Sequence, residues 1–190
     1  MKKQNSLSLP RRNFIVSGIL MGSGLFGVNL PVGWNIPGSQ KAKEELLPDE
    51  QKWVESSTMA EDMANYFGKG YSCAESLFMV SLRYLGKPEE WVWAAAGFGG
   101  GMYKQNLCGF LTAGVMALGC ASGMLKMTRK EAKARCGKMV KDYWSWWESQ
   151  APNLCSQIRT EETTSAVCRN LGLLAAAKIE EMVKPIKNNA

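Results

Sequence analysis

The six cysteines are the residues of this sequence best suited to chemistry, and no histidine accompanies them. The absence of histidine excludes His-based acid–base catalysis, His metal ligands and the haem-attachment motif Cys-x-x-Cys-His. No two cysteines are separated by only two residues, so the spacing of zinc ribbons, thioredoxins and bacterial ferredoxins is absent. Spacing alone therefore gives only a weak indication of a metal site. The cysteines are Cys73, Cys108, Cys120, Cys136, Cys155 and Cys168.

Two of the cysteines occur where the sequence predicts the start of a helix. The stretch Ser72-Cys73-Ala74-Glu75 matches a capping box, with Ser72 as N-cap and Glu75 at position N3. Cys108 follows the glycine-rich stretch GFGGGM and opens an apolar run with helical spacing. Free backbone N–H groups and the helix dipole at such positions lower the pKa of a thiol and favour negative charge. We therefore expect Cys73 and Cys108 to be reactive thiolates or ligands of a metal–thiolate cluster.

The glycine-rich stretch from Gly97 to Gly101 has two interpretations. It is a flexible connector between helices, or it forms a nest of N–H groups around an anion. The pattern GFGGGMYKQ matches neither G-x-G-x-x-G nor G-x-x-x-x-G-K-S/T, and no predicted strand precedes it, which argues against phosphate. We expect Gly99, Gly100 and Gly101 to let backbone amides approach the Cys108 thiolate and a cofactor bound to it.

Helical periodicity dominates the sequence after residue 47, with few β-branched residues and no alternating strands. It predicts helices over about 48–68, 72–86, 88–96, 108–125 and 160–184, with another that opens at a second capping box, Thr128 to Glu131. A loop over about 153–159 carries Cys155. The predicted fold is all-α, a bundle of about five to six helices with a Gly-rich loop, over about 48–186, with a short tail at 187–190.

The first 30 residues resemble a twin-arginine export signal. Arg11 and Arg12, in the stretch PRRNFIV, precede an apolar run that is shorter than the roughly 20 residues a membrane span needs. The resemblance implies export of the folded protein by the twin-arginine machinery to the periplasm or another extracytoplasmic location. An uncleaved leader that anchors the protein is the alternative. Residues 31–47 are predicted to be a linker.

The net charge of +6 arises mostly from this leader. Five of the 23 lysines and arginines lie in residues 1–41, together with none of the 17 acidic residues. The remainder is therefore close to neutral and lacks the basic surface typical of nucleic-acid binding. We expect no nucleic-acid partner.

The sequence around the cysteines resembles the redox-active protein family named for its C…GCAxxG…C…C cysteine pattern. The resemblance covers most of the chain after the linker, and it rests on GYSCAESL, GFGGGM, CGFLTAGVMALG and two later single cysteines. A related segment of split-Soret cytochromes c is associated with an iron–sulfur centre. The resemblance implies an iron–sulfur cluster whose four ligands are Cys73, Cys108, Cys155 and Cys168.

We therefore predict an exported electron carrier or redox subunit, with a redox partner protein or respiratory complex, rather than a stand-alone enzyme. A homo-oligomer is compatible with this prediction. The main alternative is a metal-free thiol–disulfide oxidoreductase that uses Cys73 and Cys108. The other is a structural or binding module with a four-cysteine zinc site or two disulfides. Cys120 and Cys136 fall outside the family pattern and are expected to pack in the core, with a separate redox pair as the alternative.

Overall fold

The computed structural model describes residues 43–163 and 165–189. The predicted leader, and the predicted linker as far as residue 42, lie outside the described residues. The all-α prediction is confirmed, because the described part of the chain folds into helices, and its backbone pairing between extended segments is limited to isolated bridges. Within these two ranges no helix combines the length and apolar character needed to cross a membrane.

The described residues form seven α-helices and two segments of other helical type. The α-helices are α1 (Pro48–Glu55), α2 (Thr58–Met63), α3 (Cys73–Tyr84), α4 (Gly109–Ser122), α5 (Arg129–Gln150), α6 (Cys155–Ile158) and α7 (Ser165–Lys187). Between α3 and α4 lie a 3₁₀ helix, Glu89–Phe98, and a π-helical turn, Gly101–Gln105.

The predicted single helix over 48–68 is wrong, because the chain breaks between α1 and α2. Ser57 is the N-cap of α2, and its Oγ accepts a hydrogen bond from the amide of Ala60 at 3.1 Å. The same hydroxyl donates to Oε2 of Glu180 at 2.7 Å, and this oxygen also accepts the amide of Met59 at 2.8 Å. Glu180 is buried on α7, so these bonds fasten the start of α2 to the last helix.

Three other predicted elements differ in detail. The segment predicted as an α-helix over 88–96 is the 3₁₀ helix, and the predicted loop over 153–159 contains α6. The last helix begins at Ser165 rather than near residue 160 and continues to Lys187. These differences matter for function, because the 3₁₀ helix leads into the glycine stretch and α6 carries Cys155.

Helices α3, α4 and α7 pack against one another at the centre, and α5 packs against α4 and α7. Small residues on α4 allow this close packing, and Ala113, Ala117 and Ala121 are fully buried. Gly114 leaves room for the ring of Tyr143 on α5, whose hydroxyl donates to the carbonyl oxygen of Phe110 at 3.1 Å. This contact holds α5 close to the first turn of α4.

Candidate functional site

A cavity of about 580 Å³ brings together cysteines that are far apart in the sequence. Its volume lies within the range of about 300–1,000 Å³ that is usual for ligand and cofactor sites. Phe67, Tyr71 and Phe110 supply aromatic surface, and among its described lining residues only Arg159 carries a charge. We call this space the thiol cavity, because four cysteines line it: Cys73, Cys108, Cys155 and Cys168.

Cys73 is placed by the capping box that the sequence predicts. The Oγ of Ser72 accepts the amide of Glu75 at 3.3 Å, and the Glu75 carboxylate accepts the amide of Ser72 at 2.9 Å. These bonds fix the first turn of α3, so the thiol of its first residue, Cys73, occupies a defined position at the cavity wall.

Cys108 and Cys155 are held side by side by backbone hydrogen bonds between two extended segments. Leu107 and Leu154 form an isolated antiparallel bridge. The amide of Cys108 donates to the carbonyl of Asn153 at 2.8 Å, and the amide of Cys155 donates to the carbonyl of Asn106 at 2.7 Å. Each cysteine then enters a helix, Cys108 as the residue before α4 and Cys155 as the first residue of α6.

Cys168 reaches the thiol cavity from the first turns of α7. The segment between α6 and α7 also contributes to the wall, through Arg159, Thr160, Thr163 and Ser165. The cavity wall is therefore built from segments that are far apart in the sequence, and its four thiols come from α3, the start of α4, α6 and α7.

Three glycines permit close approach of the backbone around these cysteines. A Cβ atom at Gly99 would lie 2.7 Å from Cβ of Ser72, and one at Gly101 would lie 2.8 Å from Cβ of Cys155. A Cβ atom at Gly109 would overlap Sγ of Cys73. Each contact is too short for a real side chain, so glycine is required at these positions for the elements to meet as they do.

The turn that follows Gly99 has an uncommon backbone conformation. Gly100 and Gly101 have φ of 58° and 65°, and Met102, Tyr103 and Gln105 also have positive φ. Positive φ is uncommon for residues other than glycine, and strain of this kind clusters at ligand sites and switch regions. Gly100 and Gln105 both line the thiol cavity.

Two glycines of the stretch, Gly99 and Gly101, lie against Ser72 and Cys155. The prediction that Gly99, Gly100 and Gly101 bring backbone amides to the Cys108 thiolate stays a prediction. Cys108 lies at a helix start, as the sequence predicts, because it is the N-cap residue of α4, and its side chain makes no capping hydrogen bond.

Burial affects the pKa of Cys108 more strongly than its position at a helix start does. Burial raises the pKa of Cys108, and the neighbouring Cys73 thiol raises it further, although the amides of Phe110 and Leu111 act in the opposite direction. The expected lowering of the Cys108 pKa is therefore wrong. Burial also raises the pKa values of Cys155 and Cys168, although the Arg159 guanidinium acts in the opposite direction on both thiols.

All six cysteines are free thiols in this structure. In the described ranges, no three His, Cys, Asp or Glu side chains are arranged so that they could hold a single metal ion. Cys120 is half-buried and packs against the core, as predicted. The same prediction is wrong for Cys136, which is partly exposed outside the core because the first half of α5 extends beyond its neighbours.

Two residues of the site carry no clear signal in the sequence. Arg159 belongs to a polar loop, and only the folded chain brings it to the thiol cavity. Gly109 was one of several small residues on α4, and the sequence does not indicate that it faces Cys73. Its position directly after a cysteine at a helix start is the one local feature that could have marked it.

The described residues thus form an all-α domain with a cavity that four thiols line. Residues 71–183 match a family model described as "Putative redox-active protein (C_GCAxxG_C_C)". The match covers more than half of the chain and includes all four cavity cysteines, so the chain belongs to this redox-active family. The predicted family is thus confirmed. Comparison with curated proteins and with solved structures found no match.

Proposed function

We propose that this chain is an exported electron-transfer protein that holds an iron–sulfur cluster on Cys73, Cys108, Cys155 and Cys168. The observation that carries the proposal is the composition of the thiol cavity. It is lined by the four cysteines assigned from the family pattern and by neither of the other two. This agreement between the family pattern and the cavity lining supports the assignment of these four thiols as ligands.

The cavity residues fit such a group by their chemistry. Cysteine thiolates are the usual ligands of iron–sulfur clusters, and the bound cluster supplies one-electron chemistry. Cys108 and Cys155 are held in fixed positions by backbone pairing, and Cys73 is held by its capping box. The amides of Phe110 and Leu111 act to lower the pKa of Cys108 and so favour its thiolate, which is the form of cysteine that binds a metal.

The environment of the thiols favours metal ligation over metal-free dithiol chemistry. A thiol that attacks disulfides needs a pKa that is lowered towards ambient pH. Burial raises the pKa of Cys108, Cys155 and Cys168, so these thiols are poor nucleophiles when no metal is bound. Metal coordination deprotonates a thiol outright and offsets this cost.

Export and the redox partner are parts of the same proposal. The pair Arg11 and Arg12 supports transport by the twin-arginine machinery, with cofactor inserted beforehand, and a redox partner protein or respiratory complex would exchange electrons with the site. Replacing both arginines with lysine should leave the precursor in the cytoplasm. Unchanged transport of that variant would remove the export part of the proposal.

The glycine stretch is proposed to form the wall of the cofactor site. Gly99→Ala and Gly101→Ala should lower cofactor content, because their Cβ atoms would push Ser72 and Cys155 from their positions. Gly97→Ala is a matched control, since a Cβ atom there meets nothing within 4 Å. Equal cofactor content in all three variants would show that the stretch is only a connector.

The decisive experiment is anaerobic purification followed by measurement of iron, acid-labile sulfide and visible absorption. Serine variants at the four cavity cysteines should lose iron and sulfide together, whereas Cys120→Ser and Cys136→Ser should retain both. Colourless protein with six titratable thiols would support the dithiol alternative, and stoichiometric zinc without sulfide would support the structural site. Either result would overturn the proposal.

A further inference from the structure

The thiol cavity has an unusual charge composition. Among the described residues that line it, Arg159 is the only one with a charged side chain. In the described ranges, the Arg159 guanidinium takes part in none of the ion pairs, which instead involve Lys43, Arg83, Lys138 and Lys178. None of these ion pairs therefore supplies a carboxylate that would neutralise the charge of Arg159.

The position of Arg159 is set by the same short helix that carries one of the cavity thiols. Its amide donates to the carbonyl of Cys155 at 2.8 Å, which closes the end of α6. Its charge acts on Cys155 and also on Cys168, a residue of a different helix. One guanidinium is thus placed to interact with thiols from two separate elements.

We propose that Arg159 acts through its positive charge. This charge stabilises the reduced, more negative form of the thiolate-bound cofactor and so raises the reduction potential of that cofactor. This inference rests on the proposed function. Reduction adds one electron from a one-electron donor protein, forms and breaks no bond and requires no proton, so the site gains one negative charge. A fixed positive charge at the cavity wall favours that state, and arginine keeps its charge at any physiological pH.

The surface position of Arg159 predicts a salt dependence. The residue is exposed, so its field is partly screened by solvent. The Debye length falls from about 10 Å at 0.1 M to about 3 Å at 1 M ionic strength. The effect of Arg159 should therefore be larger in dilute buffer than in concentrated salt.

The test is a redox titration of the anaerobically purified wild-type protein and of three variants, with iron and sulfide measured in each. Arg159→Gln removes the charge, Arg159→Lys keeps it, and Arg135→Gln removes a charge from α5, which does not line the cavity. At a fixed potential in dilute buffer, Arg159→Gln should reduce the ratio of reduced to oxidised protein about threefold to tenfold, and tenfold equals 59 mV for a one-electron couple. Arg159→Lys and Arg135→Gln should change the ratio less than twofold.

The outcomes are distinguishable. If Arg159→Gln keeps its full iron content and has the same reduction potential as Arg135→Gln, the inference is overturned and the proposed function stays intact. A potential shift in Arg159→Gln that is equally large in dilute and in concentrated salt has the same consequence. If Arg159→Gln loses iron, retention of iron and potential by Arg159→Lys supports the role of charge, whereas equal loss in both overturns it. Wild-type protein without iron and sulfide refutes the proposed function, and the inference with it.

Discussion

The contact between Gly109 and Cys73 allows a sharp test of how the site is built. Gly109 is the first residue of α4, and a Cβ atom there would overlap the Cys73 sulfur. The same atom would lie 3.0 Å from the amide nitrogen of Ala74 and 3.1 Å from the carbonyl oxygen of Phe98. Two of these three neighbours are backbone atoms, so the structure has little freedom to move aside.

The size of the effect follows from two opposing contributions. Inserting a methyl group into a packed contact costs roughly 1–3 kcal/mol. In a helix with open space, replacing glycine with alanine instead stabilises by roughly 0.5–1 kcal/mol, because the unfolded chain loses backbone freedom. Gly119 lies in the same helix and a Cβ atom there meets nothing within 4 Å. Gly119→Ala is therefore the matched control for Gly109→Ala.

We expect the two variants to move stability in opposite directions. For a domain of this size about 1 kcal/mol corresponds to about 2–4 °C in Tm, so Gly119→Ala should raise the Tm by about 1–4 °C. For Gly109→Ala the same gain offsets part of the cost of the inserted methyl group, which leaves a net loss of up to about 2.5 kcal/mol and a Tm lower by up to about 10 °C on the same scale. The stability of each variant is measured by thermal and urea unfolding of the metal-free protein. The cofactor content of each purified variant is then measured. A Gly109→Ala protein as stable as Gly119→Ala, with the same cofactor content, would refute the described contact.

Three further predictions concern the domain around the site. Cys120→Ala should cost about 1 kcal/mol in urea unfolding through a small cavity and leave cofactor content unchanged; loss of iron would contradict the ligand assignment. Tyr143→Phe should cost about 0.5–1.5 kcal/mol, because the buried carbonyl of Phe110 loses its hydroxyl donor, and unchanged unfolding would contradict that bond. Glu180→Ala should cost about 1–3 kcal/mol, since the Ser57 hydroxyl and the α2 backbone lose a buried acceptor. Glu180→Gln should recover part of that loss in the same assay, because its amide oxygen still accepts a hydrogen bond, and no recovery would indicate that the carboxylate charge is required.

Local sequence signals predicted the parts of the site whose causes are local. The capping box at Ser72 and Glu75 involves residues three apart, so the start of α3 and the place of Cys73 could be inferred from the sequence. The helical periodicity also predicted the all-α fold. By contrast, the break at Ser57 depends on Glu180, which lies 123 residues away and carries no mark of this role in the sequence.

The ionisation of Cys108 shows the same limit. Its position at a helix start predicts a lowered pKa, and the amides of Phe110 and Leu111 do act in that direction. Burial acts more strongly, and burial depends on how α3, α4 and the 153–155 segment meet. The nearness of Cys108 to Cys155, and of Arg159 to both Cys155 and Cys168, likewise exists only in the folded chain.

The bridge between Leu107 and Leu154 makes the placement of two thiols a single cooperative event. The amides of Cys108 and Cys155 are the two reciprocal donors of this bridge, so both become exposed to solvent when the two segments separate. Amide hydrogens released by one opening motion exchange with the same protection free energy. Hydrogen–deuterium exchange should therefore report one shared value for these two amides, although the residues are 47 positions apart in the sequence. The thiols of Cys108 and Cys155 should therefore move into and out of the thiol cavity together, and no state with only one of them in place is expected to accumulate.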